Sequence, residues 1–294
     1  MGIEAKIICD SENPAGHRLI TYIIKYPRWI LAEFNTHRQM SRNSASSRAI
    51  PLSKMIKSIK EECAKPVEWG KNTSGMQAKE NLSLEEQLKA EKTWERNMRI
   101  SVKYAEKLAK IGLHKQVANR ALEPFAHMTT IVSATEWGNF FNLRAHNDAQ
   151  PEFRELAYKM LEQYISSKPK KLDYGEWHIP FVDQYLNENI SLENKLKIAT
   201  ARCARVSYLN FEGNIDHQKD YDLHDKLLES GHCSPFEHCA KATTDNYISE
   251  FTGNFRGFLQ YRKTLPNENR QVFDPVKLLT ERNKNATTSK NNLA

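Results

Sequence analysis

Thirteen consecutive residues, Thr36-His37-Arg38-Gln39-Met40-Ser41-Arg42-Asn43-Ser44-Ala45-Ser46-Ser47-Arg48, hold three arginines, one histidine and four serines, and no acidic residue. Guanidinium forks engage two phosphate oxygens at once, and such charge-assisted bonds are roughly twice as strong as neutral ones. The stretch suits an anionic ligand, and its composition is equally compatible with a solvated polar loop. Three further polar clusters share its character. Asn119-Arg120 precedes Pro124. Asn139 and Arg144 are followed by His146, Asp148 and Gln150. His232-Cys233-Ser234-Pro235-Phe236-Glu237-His238 offers a hydroxyl, a carboxylate and two imidazoles.

Asn139 and Arg144 are separated by about 140° on a helix, so they share a broad side but not one stripe. Arg144 follows Phe140-Phe141-Asn142-Leu143. It reads either as an amphipathic surface residue or as a partly buried cation aimed at a ligand, and the same choice applies to Arg120. The His232 cluster reads either as a site or as a Ser-Pro helix start with Glu237 in its first turn.

The elements that must carry these groups can be read from pattern. Residues 19–24 are β-branched and aromatic and predict a strand; Pro27 breaks it, and 29–34 reads as a second strand. A short helix is expected over 53–64. Ser83 with Glu86 forms a capping box that opens a helix to about 109, stopped by Gly112. A short helical piece covers 114–122. Ser133 with Glu136 predicts a second capping box and a helix to about 146. Pro151 suits the first turn of a helix over 152–166. A basic, proline-containing connector over 167–180 follows. Helices are expected over 192–207 and 219–230, the latter stopped by Gly231, with strand-like residues over 247–251. These elements predict an α+β chain with a mixed or antiparallel sheet packed against long helices. The expected organisation is one catalytic domain over 1–282, with an N-terminal segment over 1–167 and a C-terminal segment over 181–282, and a disordered polar tail over 283–294.

Bulk properties narrow the function. The chain has 294 residues, 39% hydrophobic and 27% charged, as expected of a globular protein with a sizeable core. No apolar run is long enough to span a bilayer, and the N-terminus lacks an apolar leader, so no membrane partner and a cytoplasmic location are expected. The net charge of +7 is spread without a long basic block, which fits attraction of small anions better than nucleic-acid binding. Five cysteines, Cys9, Cys63, Cys203, Cys233 and Cys239, form no Cys-x-x-Cys pair, so neither a disulfide framework nor a metal site is expected. No nucleophile elbow and no Gly-x-Gly-x-x-Gly is present.

Taken together, the clusters resemble the flavin-dependent thymidylate synthases. Thr36-His37-Arg38 followed by Ser46 and Arg48 is similar to that family's Arg-His-Arg signature, and Pro27 to its upstream proline. Asn119-Arg120 through Pro124 is similar to its Arg-x-x-Leu-Pro segment. Asn142-Leu143-Arg144 to Ala149-Gln150-Pro151-Glu152 is similar to its Leu-Arg to Ala-Gln-x-Glu stretch. Ala204-Arg205-Val206-Ser207-Tyr208 and Gly231 to His238 resemble its N-terminal signatures, which here come last. The resemblance therefore implies a circularly permuted order, which is tolerated where termini lie close at the surface.

The resemblance implies transfer of a one-carbon unit to C5 of a pyrimidine deoxynucleotide, with dUMP to dTMP as the expected reaction. FAD is the implied cofactor, with methylenetetrahydrofolate and NADPH as co-substrates, in a homotetramer with shared active sites. Arg144 would be catalytic, holding the pyrimidine and stabilising negative charge. Glu33, Ser46, Ser47, Arg48 and Arg120 would bind the nucleotide. His37, Arg38, Asn139, Ser207, His232, Ser234 and Glu237 would face the flavin. Some positions depart from the family: Thr36 stands for an arginine, Ser44 for a glutamate, Ser133 and Thr135 for an asparagine and an arginine, and Glu33 for a glutamine. Arg262 or Lys263 is expected to supply the cation missing at Thr36. The alternatives are hydroxymethylation of dUMP or dCMP on the same scaffold, and a non-catalytic nucleotide-binding homologue.

Overall fold

Alternation of side chains along one strand organises the whole structure. In the computed structural model, which describes residues 2–182, 189–208, 216–244, 252–266, 268, 274–277 and 280, that strand is β2 (Arg18–Pro27). Ile20, Tyr22, Ile24 and Tyr26 point to one face and join the main aromatic core, whereas Leu19 points to the other and packs with Leu172, Ala240, Ala242, Phe255 and Phe258. A strand covered on both faces belongs in the middle of a sheet. β2 pairs antiparallel with β1 (Glu4–Glu12) and with β4 (His127–Ala134), and the five-stranded order is β3-β4-β2-β1-β5. β3 is Ser41–Ser44, antiparallel to β4; β5 is Lys170–Lys171, parallel to β1. A second, antiparallel sheet runs β6 (Trp177–His178), β7 (Ala240–Ala242), β8 (Phe258–Gln260). The α+β class with a mixed sheet and long helices is as the sequence predicts.

Helices appear where their end signals are strongest. α3 (Leu84–Lys110) starts at the Ser83–Glu86 capping box, and α6 (Pro151–Ser166) has its proline in the first turn. α7 is Leu192–Ala204 and α8 is His217–Ser230, closed by Gly231 at φ 74°. α2 (Leu52–Glu61) packs Met55, Ile56 and Ile59 against Val102 and Ala105 of α3.

Several expectations are corrected. Residues 29–34 are not a strand: Arg28–Ile30 is a 3-10 turn and Leu31–Phe34 a short helix, α1. Ile30 and Phe34 are both buried at i, i+4 spacing, a helical period that outweighs β-propensity here. Ser133 caps nothing. It lies in β4 opposite Thr21, and the helix beyond it, α5 (Gly138–Arg144), starts later and ends earlier than predicted. The 114–122 piece divides into a helical turn, α4 (Lys115–Ala118), and a 3-10 segment (Asn119–Phe125) that contains Pro124 instead of stopping before it. The 167–180 connector supplies β5 and β6, and α7 gives way to a 3-10 turn after Ala204. The side chain of Ser207, the strand expected over 247–251 and the tail over 283–294 lie outside the described residues.

Candidate functional site

The arginine-serine loop is held from within. Arg42 Nη1 donates to the carbonyls of Phe34 (3.0 Å) and His37 (2.7 Å), and its guanidinium lies 5.7 Å from the Phe34 ring centre. Arg42 thus closes the turn between α1 and β3. Thr36 Oγ1 donates to the Glu33 carbonyl at 2.6 Å. The loop then runs into β3, whose alternation sends Ser41 and Asn43 toward the C-terminal segment. Gln260 donates to Ser41 Oγ at 2.8 Å, Asn43 donates to the Cys203 carbonyl at 2.6 Å, and Ser234 donates to Asn43 Oδ1 at 3.0 Å.

Arg144 and His37 meet on an aromatic floor. Arg144 Nε donates to His37 Nε2 at 2.9 Å, so the ring proton of His37 sits on Nδ1. The Arg144 guanidinium lies 4.5 Å from the Phe153 ring centre, and His37 meets Phe140 and Phe153 edge-on. Burial first, then the charges of Arg144 and Arg42, push His37 down to about 4, so it is neutral at physiological pH. Glu33 acts electrostatically on Arg144, yet the two form no ion pair, and the Glu33 Oε2 oxygen is shut off from solvent without a hydrogen-bond partner. Among the described residues no acceptor engages the Arg144 Nη groups. The arrangement is a cation anchored by one nitrogen, with its other nitrogens uncommitted, within the electrostatic reach of a carboxylate that has one buried, unpartnered oxygen.

The phosphate-side residues divide. Ser47 is buried, and its hydroxyl donates to Glu123 Oε1 at 2.6 Å; the same oxygen takes Arg120 Nη1 at 2.7 Å and Arg28 Nη2 at 3.2 Å. Asn119 Nδ2 donates to the carbonyls of Ser47 (2.7 Å) and Ile50 (2.9 Å), fixing the loop's far end. Arg48 is exposed and Ser46 half-buried.

The flavin-side residues are more scattered. Arg38, Asn139 and His232 are exposed. Glu237 accepts from Arg262 at 2.5 Å, and Arg262 and Lys263 both pair with Glu268, at 3.4 and 2.8 Å. The two cations expected to replace the one missing at Thr36 are therefore committed to carboxylates. Ser133 is enclosed in a chain that runs His238 Nδ1, Ser133 Oγ (2.9 Å), Thr21 Oγ1 (2.6 Å) and His178 Nε2 (2.8 Å). Thr135 Oγ1 accepts from the Arg256 amide at 2.9 Å. Arg256 in turn borders a cleft of about 650 Å³, together with Gln39, Glu136, Asn254 and His17.

Sequence reasoning missed Glu123, Asn43 and Phe153. Asn43 could have been found from the period-two spacing with Ser41, and Phe153 from its place in the first turn of α6, two residues after Pro151. Nothing local marks Glu123 as the acceptor shared by three donors. Among the described residues no group of acidic, histidine or cysteine side chains is arranged to hold a metal ion, and no helix is long and apolar enough to cross a membrane.

Comparison with known proteins adds an independent finding. Residues 9–170, more than half of the chain, match the family described as thymidylate synthase complementing protein. Solved structures similar to the chain include the UMP/dUMP methylase PolB from Streptomyces cacaoi bound with 5-Br dUMP (TM-score 0.46, 14% identity, covering 55% of this chain and 89% of that one). The same methylase bound with 5-Br UMP gives a TM-score of 0.45 at 14% identity, covering 55% of this chain and 88% of that one. No curated protein matches the chain.

Proposed function

The chain belongs to the thymidylate synthase complementing protein family, and from that premise we propose that it transfers a one-carbon unit to C5 of a pyrimidine deoxynucleotide. The observation that carries this reading is Arg144. Its Nε rests on a neutral imidazole and its face on Phe153, which leaves the Nη groups to meet a base. A preoriented cation in a partly dry setting stabilises developing negative charge without reorganising at the moment of reaction. Arg48 and Ser46 would take the nucleotide phosphate. Ser47 and Arg120 would act at one remove, through their shared bond to Glu123.

FAD is the proposed cofactor, and bound there it would carry the two-electron redox step. The donor set fits its charged portion: Arg38 is an exposed guanidinium beside Gln39, and Arg256 borders the same cleft as Gln39. Asn139, His232, Ser234 and Glu237 would contribute polar contacts. Methylenetetrahydrofolate would supply the carbon and NADPH the reducing equivalents. The proposed assembly is a homotetramer with shared sites, and the proposed order of the family segments is circularly permuted. The contacts of Ser234 and Cys203 with Asn43 bring the late segments to the early loop, as a site built from both would need.

The test is incubation with dUMP or dCMP, methylenetetrahydrofolate, FAD and NADPH, with product mass read directly. A C5-modified nucleotide is expected, and Arg144→Ala should lower its rate on the order of 100-fold or more. Absence of product from either nucleotide would refute the reading. The enclosure of Ser133, and the bond of Thr135 to the Arg256 amide, at positions where the resemblance implies flavin contacts, favour a second reading: a nucleotide-binding protein without catalysis. Nucleotide binding with no affinity for FAD would establish it.

A further inference from the structure

The pair Glu33 and Arg144 carries information about the base itself. Arg144 is tied down at Nε by His37, so its two Nη groups form the edge it can offer to a ligand. A guanidinium edge of this kind is a pair of adjacent donors. Glu33 is close enough to act on its charge yet outside ion-pair contact, with Oε2 buried and without a donor. A carboxylate oxygen cut off from water and left without a hydrogen bond is costly, and a ligand N–H would relieve that cost. A ligand that met both groups would find donor, donor, acceptor.

A pyrimidine edge can be set against that pattern. Cytosine shows O2 and N3 as adjacent acceptors, followed by the N4 amino donor. The Arg144 fork would take O2 and N3, and Glu33 would accept from N4, so all three positions are satisfied. Uracil shows acceptor, donor, acceptor. Its N3–H would face a donor of the fork or take the carboxylate away from position 4. In either case one carbonyl is left unpaired, or O4 is held against the carboxylate. Glutamine at this place could turn its amide to donate to O4, whereas an ionised glutamate can only accept.

We propose that Glu33, paired with Arg144, makes this a site for a cytosine nucleotide, so that the C5 acceptor is dCMP in preference to dUMP. The proposal rests on the reading of Arg144 as the cation that meets the base. Sites built to hydrogen-bond one pattern discriminate strongly against its complement, because buried polar groups are then left unmatched.

The test is calorimetric titration of the full-length protein with dCMP and with dUMP, for the wild type and for Glu33→Gln. Wild type should bind dCMP on the order of 10-fold to 100-fold more tightly than dUMP. Glu33→Gln, nearly isosteric, should reverse or abolish that preference while still binding a nucleotide. Tighter binding of dUMP by the wild type would overturn the base assignment and leave pyrimidine C5 chemistry standing. An unchanged ratio in Glu33→Gln would equally overturn the role of Glu33. Failure of the wild type to bind either nucleotide would sink both the base assignment and the function on which it rests.

Discussion

His37 shows how a residue can hold a structural tie that its place in the sequence does not announce. Its place in the loop marks it for chemistry, and the resemblance turns it toward the flavin. In the structure its Nε2 lone pair holds Arg144, a contact no spacing rule could show because the partners are 107 positions apart. That bond requires a neutral ring. Burial and two neighbouring guanidiniums bring His37 down from 6.5 to about 4, so the ring stays neutral across the physiological range. Protonation below that point would place a second cation against Arg144 and remove its acceptor. The His37 ring should therefore stay neutral from pH 7 to about 5 and take up a proton only near 4, as read by NMR of its imidazole nitrogens. A ring that titrates near 6.5, the ordinary histidine value, would show that His37 is not held neutral against Arg144.

At the scale of elements, legibility followed the locality of the signal. α3, α6 and α8 were readable because a capping box, a first-turn proline and a terminal glycine are encoded within a few residues. The Ser133–Glu136 pattern failed because a tertiary demand outbid the cap. Ser133 sits at the rung opposite Thr21, and its hydroxyl bonds His238 on one side and Thr21 on the other, with Thr21 in turn bonding His178 of the second sheet. Serine in that pattern looks the same whether it caps a helix or bridges a sheet. Both histidines are wholly buried, and burial pushes each down to about 3, so both are neutral when folded and ordinary bases when unfolded. The unfolded chain then binds protons below 6.5 that the folded chain does not. Stability should be level above pH 6.5 and fall as pH drops from there toward about 3, by roughly 2 kcal/mol per histidine between pH 7 and 5. Denaturant titration at the two pH values gives the loss, and NMR of the imidazole nitrogens should show neither ring titrating in that interval. A ring that titrates near 6 would refute the account.

At the scale of the whole molecule, the polar clusters scattered along the sequence converge because the C-terminal segment lies against the N-terminal sheet. Gln260 and Asn254 reach Ser41, Ser234 reaches Asn43, and Asn13 Nδ2 donates to the carbonyls of Thr243 (3.3 Å) and Gly257 (2.9 Å). Gly257 shows how close that seam is: its φ is 70°, and a Cβ there would stand 2.4 Å from the His17 ring and 2.5 Å from Asn13 Nδ2. A glycine is required on both counts, the backbone region and the approach. The sequence could not reveal this, since what matters is not Gly257 itself but residues more than two hundred positions away that meet it. If the seam makes one cooperative unit, Gly257→Ala should destabilise both segments together, by more than about 1 kcal/mol. Hydrogen exchange read by mass spectrometry under mild denaturant would then show β2 and β8 losing protection at the same, lowered free energy. Loss confined to β8, with β2 unmoved, would mean that the C-terminal segment opens by itself and that the site's late residues are docked onto the sheet without folding with it.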